Sequence, residues 1–183
     1  MKSRASSTNS SKKGGFTLIE LLVVSAITIF LATFISLNLR YRIDLNAAAN
    51  VIISDIRNSQ AKAISSAKYN NGLRCGYGIR YLNSTSYSMY VGPNASTTDC
   101  STIDTRFNNG QDFDILIERF IDQRIEIKSP FHDIFYEPPD PKTFIDNDSS
   151  LNRTPEQIII GKIGGICPQY CKTINVYTTG KIQ

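Results

Sequence analysis

From Leu21 to Leu37 every residue is apolar except Ser25, Thr28, Thr33 and Ser36. Small hydroxyl side chains can return a hydrogen bond to the helix that carries them, so these four do not interrupt an apolar helix. Counted from Phe16 to Leu39, the run is roughly long enough to cross a hydrocarbon core at about 1.5 Å of rise per residue. One carboxylate, Glu20, lies inside it. Left ionised and alone at that depth it would cost about 3 kcal/mol, so it requires a partner, a proton or a function.

Past Leu39 the helix is predicted to continue with a different face. Ala48, Ile52, Ile56, Ala63 and Ala67 recur at helical spacing, widened by Val51, Ile53 and Ile64, with Arg40, Arg42, Asp55, Arg57, Lys62 and Lys68 between them. No proline or glycine falls between Phe16 and Asn71, which sets the expected stop at Asn70-Asn71-Gly72. The period then changes to two. Tyr77, Ile79 and Tyr81 alternate on one strand and Tyr87, Met89 and Val91 on the next, with Asn83 to Ser86 as the turn. Phe113 to Ile117, Ile125 to Ile127, Ile134 to Tyr136, Gln157 to Ile160 and Thr173 to Tyr177 complete the set of expected strands. Pro138, Pro139 and Pro141 argue against regular structure after Tyr136, and Asp146 to Thr154 reads as a polar loop. The expected class is α+β, a long N-terminal helix packed on a C-terminal antiparallel sheet domain.

Charge refines the topology. The formal net charge is +4, and Lys2, Arg4, Lys12 and Lys13 account for it, so the rest of the chain is close to neutral. That argues against reading the high pI as a nucleic-acid signal. Positive charge before an apolar span places that end in the cytoplasm and the remainder outside. A cleaved secretory signal would carry its small-residue cleavage site after the apolar core, whereas Gly14 and Gly15 precede it. Cutting there would leave the helix on the mature chain. The expected organisation is a leader over 1–15, a membrane or assembly half-helix over 16–39, an exposed amphipathic half-helix over 40–70, and a β-rich domain over 71–183.

The four cysteines all lie beyond the span, in a compartment where disulfides persist. Three connectivities are open. Cys75 with Cys100 would bracket a strand pair and Cys167 with Cys171 would close a small loop at Pro168, and this pairing is favoured. A four-thiolate zinc site is the rival, disfavoured because Cys75 and Cys100 are not paired as a knuckle.

Lys12-Lys13-Gly14-Gly15-Phe16-Thr17-Leu18-Ile19-Glu20, followed by its apolar helix, resembles the prepilin signature of type IV pilins and type II secretion pseudopilins. The resemblance implies that a prepilin peptidase cuts between Gly15 and Phe16 and methylates the amine of Phe16. It implies that Glu20 neutralises the terminal amine of a neighbouring subunit and so sets axial register. The implied partners are other pilins or pseudopilins, the prepilin peptidase, the inner-membrane assembly platform and the membrane itself. Asp55 to Ile64, Asp133 to Pro138 and Ile174 to Ile182 are similar to segments of the H-type minor pseudopilins and related minor pilins. The implied function is a structural subunit, minor in class, first in the cytoplasmic membrane and then in a periplasmic or extracellular filament.

Catalytic chemistry is sparse. His132 is the single histidine and sits in a loop-like stretch, where a solvated side chain is expected. Asp112, Asp114 and Glu118 share strand parity and are expected on one solvated face, in preference to a calcium site, since the run lacks the glycine turn and terminal glutamate of an EF-hand loop. Gly76-Tyr77-Gly78 and Gly161 to Gly165 lack the lysine and hydroxyl ending of a phosphate loop. No cofactor, metal or specific nucleic acid is inferred, and the chain is not expected to be an enzyme. The alternative is a pilus-tip binding module in which exposed Tyr81, Tyr87 and Tyr90 contact DNA or a surface ligand.

Overall fold

A computed structural model describes residues 17–120, 123–139 and 142–183. The leader and the Gly15–Phe16 junction lie outside these residues, as does Pro141. Helix α1 runs Leu18–Ile64, and the chain divides into two compact units, Met1–Tyr41 and Arg42–Gln183. In the first unit, Leu18, Ile19, Leu21, Leu22, Phe30 and Phe34 are all exposed. The span Leu18–Ser36 is long and apolar enough to cross a membrane. Its hydroxyls behave as their size suggests: Ser25 donates to Leu22 O, Thr28 to Ser25 O, Thr33 to Phe30 O and Ser36 to Ala32 O, all within 2.7–2.9 Å.

In the second unit the helix buries Leu45, Ala49, Ile52, Ile56, Ser59 and Ala63, alternating steps of four and three residues. Ile52 and Ile56, fully enclosed, contribute about 2 kcal/mol each by transfer from water. Val51 and Ile64, expected to widen this face, are exposed. The helix also ends earlier than expected. Ala67 N–H donates to Lys62 O and Ser66 N–H to Ala63 O, both at 2.9 Å, while Ser66 takes φ 45°. This left-handed closure satisfies the last carbonyls without a glycine, so the sequence carries no obvious stop signal. Asn70 and Asn71, at φ 50° and 61°, then form the two-residue turn of a small hairpin, β1 (Lys68–Tyr69) with β2 (Gly72–Leu73).

The domain has two larger antiparallel sheets. The five-stranded one is ordered β5 (Phe113–Arg119), β4 (Ser86–Val91), β3 (Tyr77–Asn83), β7 (Ile134–Glu137), β8 (Lys142–Ile145). The three-stranded one is ordered β10 (Cys171–Val176), β9 (Glu156–Lys162), β6 (Ile125–Ile127). Strand β8 corrects the expectation that the prolines end regular structure here. Pro138 and Pro139 lie at the β7–β8 connection, where no ladder N–H is needed, and Glu137 pairs with Lys142 directly across it.

The helix lies over both sheets of its unit. Lys172 Nζ donates to Asn46 Oδ1 and Arg124 to Asp44, each at 2.9 Å, at the three-stranded sheet. Further along, the Tyr87 hydroxyl donates to Asp55 Oδ2 at 2.6 Å, and Ser59 lies 3.5 Å from Gly78 O at the five-stranded sheet. Strand β4 is buried at every position, although alternation predicts one wet face. The reason is a second cover. Tyr90 donates to Thr105 O at 2.8 Å, packs edge-on to Phe107 and stacks on Phe135, on the face away from the helix. A Cβ on Gly78 would meet the Tyr90 ring at 2.5 Å, so this glycine makes room for an aromatic ring.

Cys75 is joined to Cys100 and Cys167 to Cys171, with Cα–Cα distances of 5.1 and 5.2 Å. The first bridge ties the start of β3 to a short 3₁₀ turn at Cys100–Thr102, which leads into the Thr105–Phe107 cover.

Candidate functional site at the helix N-terminus

The first turn of α1 is organised around Glu20. Its Oε2 accepts hydrogen bonds from the N–H and the hydroxyl of Thr17, both at 3.0 Å, and Glu20 N–H reaches Thr17 Oγ1 at 3.3 Å. This is a reciprocal capping box, with Thr17 as the cap and Glu20 three residues on, satisfying amide donors that a helix start leaves unpaired. The favourable field at a helix N-terminus adds to the attraction for a carboxylate. Glu20 therefore has a local role in the lone chain, one the sequence analysis did not assign. Its signal was the Thr-x-x-Glu spacing. Around this cap the apolar side chains of 18–35 are exposed along the helix, a surface that water disfavours and that lipid or other helices can cover.

Residues 10–36 match the prokaryotic N-terminal methylation motif. The chain thus carries a pilin-type N-terminus, consistent with the type IV pilin and pseudopilin family. The motif implies processing by prepilin peptidase and assembly with other pilins, and it points to a structural protein. Together with the apolar helix it fits a membrane-anchored pilin. The match ends before the three segments that resemble minor subunits. No curated protein and no solved structure matches the chain.

The other candidates are placed elsewhere, in the β-rich domain. Asp112, Asp114 and Glu118 do not form one solvated face. A bulge sets Met89 opposite Leu116 but Tyr90 opposite Asp114, which reverses parity within β5. Asp114 is drawn to Arg80 through two hydrogen bonds, at 2.6 and 3.0 Å, and to the Ser88 hydroxyl, while Glu118 pairs across from Tyr87. These partners hold the Asp114 carboxyl below the usual range against the opposing effect of burial. His132 stays exposed, but its Nδ1 is 3.0 Å from Glu156 Oε2, so it is partnered rather than simply solvated. Of the three tyrosines in the alternative reading, Tyr87 and Tyr90 are buried, and Tyr81 is half-buried and packs edge-on to Phe131. Among the described residues no group of three or more His, Cys, Asp or Glu is placed to hold a metal ion.

Asp112 is only 6% exposed, and its Oδ2 accepts the Asn108 N–H at 2.7 Å. Burial pushes its carboxyl up to about 6, aided by Asp133 and Asp104 and opposed by the Asn108 hydrogen bond and Arg80. The folded chain then holds a proton that the unfolded chain releases near pH 4. The resulting stabilisation is full below that pH and is lost as pH rises through about 6. Asp112→Asn is expected to flatten this part of the stability curve and to stabilise the protein at neutral pH by about 1–2 kcal/mol. Asp133, also raised by burial, remains in the variant and preserves a smaller slope of the same sign. Urea midpoints of wild type and variant across this pH range provide the measurement.

Proposed function

We propose that this chain is a minor structural subunit of a type IV pilus or type II secretion pseudopilus. Prepilin peptidase cuts it between Gly15 and Phe16 and methylates Phe16. The span from Phe16 to Leu39 sits in the cytoplasmic membrane with the leader inside and the domain outside, until the assembly platform moves it into a filament. There, the apolar surface of the helix is buried against neighbouring helices. Glu20 pairs with the methylated amine of a neighbour's Phe16, an attraction that a low-dielectric core strengthens and that rewards one axial register. The observation that carries this reading is the joint presence of the methylation motif and a capped, wholly exposed apolar helix behind it.

The test is the intact mass of chain extracted from membranes of cells with an active prepilin peptidase. The expected species begins at Phe16 and carries one added methyl group. Gly15→Ala should slow its appearance, since the residue before the cut must be small and flexible in backbone. Recovery of chain that still begins at Met1 would refute the assignment.

A further inference from the structure

The connection between β9 and β10 exposes a cluster of apolar side chains. Ile163, Ile166 and Tyr170 are 49%, 80% and 40% exposed within this one tip, and the Cys167–Cys171 bridge constrains it. Single exposed apolar side chains are ordinary, but a constrained cluster of them is not.

The place of the tip in the domain says what covers it. Ile163 N–H donates to Arg124 O at 2.8 Å, Arg124 pairs with Asp44, and Lys172 reaches Asn46. The tip therefore stands beside the first helical residues of its unit, and residues 37–43 alone connect that point to the apolar span. This is the tethered end of the domain. Among the described residues the cations near it, Arg124, Lys128, Lys162 and Lys172, outnumber the acids Asp44 and Glu126. Apolar side chains and a tyrosine beside lysine and arginine have the chemistry of a bilayer interface, where the former enter the acyl boundary and the latter meet anionic headgroups. A pre-formed turn also loses little freedom on contact.

We propose that the disulfide-closed β9–β10 tip is a lipid contact, seated in the anionic interface of the bilayer that holds the chain's own helix. It gives the unassembled subunit a second hold on the membrane, which is released when the subunit enters a filament. The inference rests on the membrane-span reading of Leu18–Ser36 but not on the register role of Glu20.

The chain has no tryptophan, so single tryptophans report without background. The full chain is reconstituted in phosphatidylethanolamine–phosphatidylglycerol vesicles containing lipids brominated near the headgroup or deep in the acyl chain. Three variants are compared: Ile27→Trp in the span, Ile166→Trp in the tip, and Leu151→Trp. Leu151 is 77% exposed and follows Ser150, whose carbonyl Thr178 contacts beyond the far end of β10. Ile27→Trp should be quenched by deep bromines and Ile166→Trp about twofold by shallow ones, with Leu151→Trp unaffected. Replacing the anionic lipid by a zwitterionic one should weaken quenching at Ile166→Trp alone. Quenching of Ile27→Trp without any at Ile166→Trp overturns the proposal and leaves the membrane span standing. No quenching of Ile27→Trp overturns both. An Ile166→Trp blue shift that grows with protein-to-lipid ratio, without bromine quenching, identifies a second copy as the occupant and also overturns it.

Discussion

Glu20→Val is expected to leave membrane insertion and cleavage intact while cutting recovery of the chain in sheared filaments by about tenfold or more. An amine left unpaired in an apolar setting costs about 2–4 kcal/mol, which is enough to lose register. Insertion should not suffer, because replacing a carboxylate by an apolar side chain removes the cost of placing it in lipid. The capping box makes a second explanation available, since valine also removes the acceptor for Thr17, worth about 1 kcal/mol to the helix start. Two further variants separate the causes. Glu20→Gln keeps a side-chain oxygen for the Thr17 N–H but carries no charge, and Thr17→Val keeps the charge but removes the hydroxyl. Loss of filament entry in Glu20→Gln with entry retained in Thr17→Val assigns the effect to charge. Recovery of Glu20→Val in filaments at the wild-type level would retire the register role.

Replacing both Cys75 and Cys100 by serine should destabilise the domain by about 3 kcal/mol on the chain-entropy account, given their sequence separation of 25. A structural loss accompanies the entropic one. Cys75 is fully buried, and its bridge anchors the turn at Cys100–Thr102 that brings Thr105 and Phe107 over Tyr90. The double serine variant should therefore expose Tyr90 as well as lower the urea midpoint. The same replacement at Cys167 and Cys171, four residues apart, should cost less, about 2 kcal/mol. Urea titrations of the two double variants check the order. A larger loss from the short loop would contradict the entropic account.

The apolar span, its four hydroxyls and Glu20 were legible in the sequence because their physics is local. A helix needs only its own backbone to satisfy its hydrogen bonds, and Ser25, Thr28, Thr33 and Ser36 bond within one turn of themselves. The α+β class was legible for a similar reason, since a change of period from helical to two is a pattern within single segments. Even the capping box could have been read from Thr17 and Glu20 alone.

What the sequence left open depended on partners distant along the chain. Strand β8 becomes a strand by pairing with β7, and the bulge opposite Met89 and Tyr90 separates Asp114 from Glu118 through register with β4. The burial of Tyr90 depends on a loop that a disulfide brings across the sheet, which alternation within β4 cannot reveal. The helix stops at Ile64 because Ser66 closes its last carbonyls in a left-handed turn that no glycine marks. Local preference thus determined the long apolar helix and the kinds of element that follow it. Long-range pairing decided which faces are buried, and it brought the β9–β10 tip to the tethered end of the domain.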